Sequence, residues 1–305
     1  MTEHHFAGRI VVGYDGSPSS EAAALWGCTE ARTHGRGLVL LTALTPPVAT
    51  GGLGVGLPPG LDILDAMEQG ARAELDAACA RLADGPGAGL AIEAAVAVGS
   101  PSGVLLEASE TASMLVLGTR GHGGFRGLLL GSVSGQVAAH AACAVAVVRG
   151  QSVAAPTDVV VGIDGSAAAE SALAYAFAAA SARGLGIVAV HAWDVPAYDL
   201  LVVPNGPVPI PLNDVADDEV RMTAEVLAGF RAEYPDVRVE ERLVRSQPVK
   251  AILGSCDHAA MVVVGTHGHG PAVGALLGSV SNGLLHKATV PVVVVPPPDT
   301  GPSAA

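Results

Sequence analysis

The residues most able to do chemistry lie in two matching glycine-rich stretches. LGTRGHGGFRGLLLGSVSGQ, residues 117–136, sets glycines around Arg120, His122 and Arg126 and ends in Ser132 and Ser134. VGTHGHGPAVGALLGSVSNG, residues 264–283, repeats the design 147 positions later with His267 and His269. The spacing is Gly118-x2-Gly121-x9-Gly131-Ser132, and again Gly265-x2-Gly268-x9-Gly278-Ser279. Lacking a Cβ, glycine lets backbone N–H groups approach a ligand and turn through positive φ, and a helix starting at the serines adds orphan donors and a positive dipole end. Phosphate suits such a cradle, with Ser132, Ser134, Ser279 and Ser281 as hydroxyl donors. Tight strand–helix packing would use the same glycines, and a single loop does not separate the two readings.

Other chemistries fit less well. No GxxxxGK[ST] loop occurs, and the two lysines, Lys250 and Lys287, lie outside the glycine loops. The turn GYDGSPSS is not GxGxxG, so the dinucleotide fingerprint is missing. GSVSG lacks the spacing of a GxSxG nucleophile elbow, which leaves the serines as phosphate donors rather than nucleophiles. Phosphoanhydride hydrolysis needs an oriented water, a metal and cations aimed at the transferred group, and the loops offer a cradle with no evident base. His267 and His269 form an H-x-H pair, read as a phosphate contact or stray loop pair and not as a metal site, because no Cys or carboxylate set accompanies them.

Positioning such loops requires strands and helices, and the chain supplies them twice. RIVVGYDGSPSSEAAALWGCTEA from Arg9 aligns with DVVVGIDGSAAAESALAYAFAAA from Asp158, placing Asp15 over Asp164. A unit of about 147 residues has been duplicated, giving domains expected at 1–150 and 157–296 with a linker at 150–157. In the first copy RIVVGY, LVLLTAL, LAIEAAVAV, SMLVLG and AVAVVR read as strands covered on both faces. Helices are predicted from Ser17 and Pro18, over DAMEQGARAELDAACARLA, over PSGVLLEAS and from near Ser132. Strand and helix alternating through five strands imply a parallel, doubly wound α/β sheet with helices on both faces. Its ligands bind beyond the carboxyl ends of the strands, the edge to which Asp15 and Gly118 belong. The Pro- and Gly-rich loops TPPVATGGLGVGLPPG and VPAYDLLVVPNGPVPIPLND are long enough to be lids or contact surfaces, with plain insertion as the alternative. The tail PPPDTGPSAA reads as disordered.

Composition bounds the partners. With 305 residues, half of them hydrophobic, the chain can bury a real core. A formal charge of -13 argues against general attraction to nucleic acid or anionic membrane. Mean hydropathy is high, at +0.46, but every apolar run is strand-sized. The stretch MTEHHFAGRIVVGYDGS shows no secretory leader, so a cytoplasmic location is expected. Cys28, Cys79, Cys143 and Cys256 are scattered and read as reduced, partly buried residues, with a redox-sensing thiol as the alternative. Arginine heavily outnumbers lysine, as in a GC-rich bacterial coding sequence.

The doubled G-x2-G-x9-G-[ST] motif, together with GYDGS and GIDGS, makes the chain resemble a tandem universal stress protein of the ATP-binding kind, from about residue 8 to 148 and 157 to 296. The resemblance implies two Rossmann-like sheets of the adenine nucleotide alpha hydrolase type, paired as an intrachain pseudo-dimer. It also implies an adenosine site at Gly13, Tyr14 and Asp15, and at Gly162, Ile163 and Asp164. Ala43 and Ala192 would give the adenine a backbone edge. Phosphates would rest on Gly118, Arg120, Gly121, Gly131, Ser132, Val133 and Ser134, and on Gly265, His267, Gly268, Gly278, Ser279, Val280 and Ser281. ATP would bring its own Mg2+. The implied role is a cytoplasmic nucleotide-dependent regulator of stress response or growth, a homodimer of pseudo-dimers with a protein partner. A slow ATPase and a nucleotide-free interaction scaffold remain the alternatives. The copies differ: Arg120, Arg126 and His122 against His267 and His269 predict tighter binding in the first, and the third-strand turn of Gly99 and Pro101 becomes Ser246 and Pro248 in the second.

Overall fold

The computed structural model describes residues 6–45, 63–121, 129–149, 155–193, 200–203, 206–209, 212–268 and 277–298. The chain divides into two units, Met1–Gly150 and Gln151–Ala305. In the first, β1 (Ile10–Gly13), α1 (Pro18–Thr33), β2 (Leu38–Leu44), α2 (Ile63–Ala83), β3 (Ile92–Val98), α3 (Pro101–Ser109), β4 (Met114–Gly118), α4 (Ser132–His140) and β5 (Ala144–Val148) alternate along the chain. All five strands are parallel, in the order β3-β2-β1-β4-β5.

The second unit repeats this with β6 (Asp158–Ile163), α5 (Ala167–Arg183), β7 (Gly186–Trp193), β8 (Leu200–Val203), β9 (Gly206–Pro209), α6 (Leu212–Glu233), β10 (Val239–Arg245), α7 (Pro248–Leu253), β11 (Ala259–Gly265), α8 (Ser279–Lys287) and β12 (Val292–Val295). Its parallel sheet runs β10-β7-β6-β11-β12. The antiparallel pair β8–β9 was not foreseen in the long loop after β7. Val203 pairs with Gly206 across the two-residue connection Pro204-Asn205, so the signal was a pair of turn-forming residues between apolar runs. The first unit's counterpart, residues 46–62, lies outside the described residues, as do most of the linker and the tail.

The central strands are apolar throughout because both faces are covered. Val11, Val12, Leu115 and Val116 are fully buried, as are Val159, Val160, Val161, Val262 and Val263. Successive side chains point to opposite faces: Val12 lies against Gly27 of α1, while Gly13 lies under Leu105 of α3. Serine starts the first helix of each unit. Ser17 accepts from Ser20 N at 3.2 Å and Ser166 from Ala169 N at 3.2 Å, each satisfying an orphan donor. The cores diverge at Cys28, whose counterpart Phe177 stacks on Phe230 of α6 with centroids 5.2 Å apart.

Candidate functional site

In each unit the first strand has the second on one side and the fourth on the other, so the strand order reverses beside it. Crossovers leave in opposite directions there and open a crevice at the carboxyl edge. The turn out of β1 aims a carboxylate at that crevice. Gly16 has φ 76°, a conformation that suits glycine, and Ser17 N donates to Asp15 Oδ1 at 3.1 Å. The second unit copies the turn, with Gly165 at φ 78° and Asp164 Oδ1 accepting from Ser166 N at 3.0 Å and Ser166 Oγ at 2.6 Å. Asp15 and Asp164 are both exposed.

The glycine loop begins where β4 ends. A Cβ on Gly118 would stand 2.6 Å from the Ser19 carbonyl oxygen, and one on Gly265 would stand 2.7 Å from Ala168 Cβ, so both glycines let the fourth strand pass the first helix. Gly121 and Gly268 have another reason to be glycine, because a Cβ would collide with Asp15 Oδ2 or Asp164 Oδ2. The loop mouth is pinched by Gly131 N donating to Thr119 O at 2.7 Å and Gly278 N donating to Thr266 O at 2.8 Å. Gly131 and Gly278 then serve as N-caps of α4 and α8, and neither helix has a side-chain cap. That leaves the dipole end open toward the crevice.

Two of the serines tie their helix to the strand end. Ser134 Oγ donates to Gly118 O at 2.7 Å, and Ser281 Oγ donates to Gly265 O at 2.6 Å. Each hydroxyl proton is therefore committed to locking the helix onto the strand end. Ser132 and Ser279 are exposed and start the helices.

These parts enclose a cleft of about 340 Å³ in the first unit. Gly13, Tyr14, Asp15, Ala43, Gly118, Arg120, Gly121, Gly131, Ser132, Val133 and Ser134 all line it. Residues the sequence reading missed complete the wall: Ser20 from α1, Leu41 and Thr42 from β2, Pro101, Val104 and Leu105 from α3, and Leu117 from β4. Their signal was present, since α3 carries apolar residues toward its sheet and Leu117 precedes Gly118. One end is thus apolar and the other is lined by backbone and Arg120. In the second unit Gly162, Ile163, Asp164, Ala192, Gly265, His267, Gly268, Gly278, Ser279, Val280 and Ser281 occupy the matching positions of the same elements.

Ala43 earns its place by register. Tyr14 N donates to Leu41 O at 2.9 Å, which turns Leu41 toward β1, and Ala43 two residues on turns its N–H and C=O the same way, past the last β1–β2 pair at Gly13 and Leu41. The Thr42 hydroxyl braces this corner by donating to Tyr14 O at 2.6 Å. His191 takes that role in the second unit, its Nδ1 lying 2.8 Å from Ile163 O.

Tyr14 is buried, and its hydroxyl is tied to α1 and α2. Its hydroxyl donates to Glu21 Oε1 at 2.5 Å, and Arg81 Nη2 donates to the same Glu21 oxygen at 2.6 Å and to Tyr14 Oη at 3.2 Å. Burial, and then the Glu21 carboxylate, push the phenol up to about 12. The thiols behave likewise: burial raises all four, Cys143 to about 12 and Cys256 to about 11, which argues against a reactive redox sensor. Among the described residues no three His, Cys, Asp or Glu groups converge as metal ligands, and no helix is long and apolar enough to cross a membrane. His122, Arg126 and His269 lie outside the described residues.

A family model, described as the universal stress protein family, matches residues 7–149 and again 157–296. The chain belongs to the universal stress protein family. A universal stress protein of Mycolicibacterium smegmatis is 37% identical over 297 residues, covering 94% of this chain and 97% of its own. One from Mycobacterium tuberculosis is 37% identical over 295 residues, covering 93% and 96%. Among solved structures, a universal stress protein from Archaeoglobus fulgidus superimposes with a TM-score of 0.70 at 23% identity, covering 94% of this chain and 98% of that one. The tandem organisation is therefore shared across whole chains of this family, and the α/β fold with a solved member.

Proposed function

We propose that the first unit's cleft binds ATP, its Mg2+ arriving with the nucleotide, and that occupancy makes this universal stress protein a cytoplasmic regulator of stress response or growth. One observation carries the reading: a carboxylate, an apolar wall and a glycine cradle line a single cleft of about 340 Å³ at the strand-order reversal. Adenine would lie against Val104, Leu105 and Leu41 with its edge on the Ala43 backbone. Asp15 would accept from the ribose hydroxyls, as acidic residues do in dinucleotide folds. Phosphates would rest on Gly118, Gly121, Gly131, Ser132 and Val133, with Arg120 offsetting their charge. Gly121 fits this best, because any Cβ there would meet Asp15 and fill the cradle. The second unit would form the equivalent site from Gly162 to Asp164, Ala192, and Gly265 to Ser281.

Binding is favoured over turnover by the chemistry of the wall. Among the described residues its one carboxylate is Asp15, its tyrosine stays protonated to about pH 12, and the Ser134 hydroxyl donates to Gly118. Regulation would follow from differential affinity of ATP for two loop arrangements, read by a protein partner. A homodimer of tandem chains belongs to the same proposal, and light scattering tests it.

The deciding experiment identifies any ligand released from purified protein and titrates ATP with Mg2+ by calorimetry into wild type, Asp15→Ala and Asp164→Ala. Binding that loses one site in each variant, without steady phosphate release, supports the proposal. Wild type that neither carries nor binds ATP sinks it and leaves an interaction scaffold; steady release dependent on Asp15 makes it an enzyme.

A further inference from the structure

The first unit holds another arginine beside its glycine loop. Gly118 at the end of β4 is in register with Val148 of β5, so the next residue, Arg149, leaves the sheet beside Thr119 and Arg120. Its Nη2 donates to Leu129 O at 3.4 Å, two residues before Gly131. Arg149 thus stands between the two ends of the glycine loop. Arg120 lines the cleft wall and Arg149 does not, so Arg149 lies behind or beside Arg120 on the loop. Burial, and then the charge of Arg120, lower its pKa from the usual arginine value, so the two guanidiniums are close enough to repel. Holding like charges together is a cost that an anion between them reverses.

The second unit has neither cation. Val295 of β12 pairs with Gly265 as Val148 does with Gly118, but the next residue is Pro296, and the counterpart of Arg120 is His267.

We propose that Arg149 acts with Arg120 to contact the terminal phosphates of an adenine nucleotide, so that the first site selects triphosphate over monophosphate while the second is indifferent to phosphate number. This rests on the first cleft being the adenine-nucleotide site. The arginine fork suits paired phosphate oxygens in a way that lysine does not.

The test titrates ATP, ADP and AMP by calorimetry into full-length protein carrying Asp164→Ala, alone and with Arg149→Gln or Arg149→Lys. Arg149→Gln is expected to weaken ATP about tenfold, the loss of one charge-assisted contact, and AMP less than about twofold, with Arg149→Lys in between. ATP binding by Arg149→Gln should also fall less steeply with salt. In the reciprocal Asp15→Ala protein the remaining site should hold ATP and AMP within about threefold of each other. Equal weakening of all three nucleotides would make Arg149 a brace for the Leu129 carbonyl, and unchanged ATP affinity would make it a bystander; either overturns the inference alone. No nucleotide binding by wild type overturns the site reading and this inference together.

Discussion

The Asp15 carboxylate occupies the space into which a side chain on Gly121 would project, and Asp164 stands in the same relation to Gly268. The glycine loop and the turn after the first strand are therefore fitted to each other and not only to a ligand. Gly118 is fitted to something else, the backbone of Ser19. Two glycines of one motif have different jobs, and substitution separates them.

Gly121→Ala is expected to abolish or weaken ATP binding by tenfold or more, on the order of 1.4 kcal/mol, because its methyl must displace the Asp15 carboxylate. Gly121 and Asp15 are exposed, so the thermal midpoint should barely move. Gly118→Ala should lower stability by about 1–3 kcal/mol, since its methyl strikes main chain that cannot swing away. Calorimetry and thermal unfolding of both variants check this; equal loss of stability would show that Gly121 is a packing glycine as well.

The paired serines of each motif should also come apart. Ser134→Ala leaves the buried Gly118 carbonyl without its 2.7 Å hydrogen bond and should cost about 1–2 kcal/mol of stability. Ser132→Ala, at an exposed helix start, should leave stability within about 0.5 kcal/mol while weakening ATP. Denaturant unfolding midpoints decide the first point and nucleotide titration the second.

Most of the fold was legible because each element announced itself locally. PSGVLLEAS became α3 residue for residue, and LVLLTAL became β2, since a capping serine, a helix-starting proline and a buried apolar run each act over a few positions. What escaped were long-range facts. That the Ser134 proton goes to Gly118 follows from the meeting of α4 with the end of β4, and no spacing within GSVSG encodes it. Arg149 lay at the end of a strand and joined the loop only through the β4–β5 register. Val104 and Leu105 were read only as part of a helix, and they form the cleft wall because α3 packs beside the open edge beyond β1.

The cysteines should be poor nucleophiles in the native protein. Burial holds Cys143 near 12 and Cys256 near 11 and raises Cys28 and Cys79, so little thiolate exists at pH 7.5. A chromogenic disulfide reagent should react at least about tenfold more slowly with folded than with urea-unfolded protein. One fast native thiol would reopen the redox-sensing alternative.

Tyr14 should add to the first unit's loss of stability at alkaline pH. Its phenol is 4% exposed and is held up to about 12 by burial and by Glu21, against an ordinary value of 10.0. Below pH 10 the phenol is protonated in folded and unfolded chains alike, so the hydrogen bond to Glu21 contributes fully. Between about pH 10 and 12 the unfolded chain gives up this proton while the folded chain keeps it, so the unfolded state binds fewer protons and stability falls with rising pH. Two pH units correspond to a loss on the order of 2 kcal/mol by pH 12. Cys143, Cys256 and Tyr234, also raised, add to the decline, so an alkaline slope alone is not diagnostic. Tyr14→Phe is. It should cost about 1 kcal/mol at pH 7 through the lost hydrogen bond, yet flatten the fall between pH 10 and 12. The second unit has Ile163 at this position and should keep its slope. Unfolding followed at both pH values in wild type and Tyr14→Phe measures the difference, and an unaltered slope would mean that the cluster of Tyr14, Glu21 and Arg81 opens before the phenol ionises.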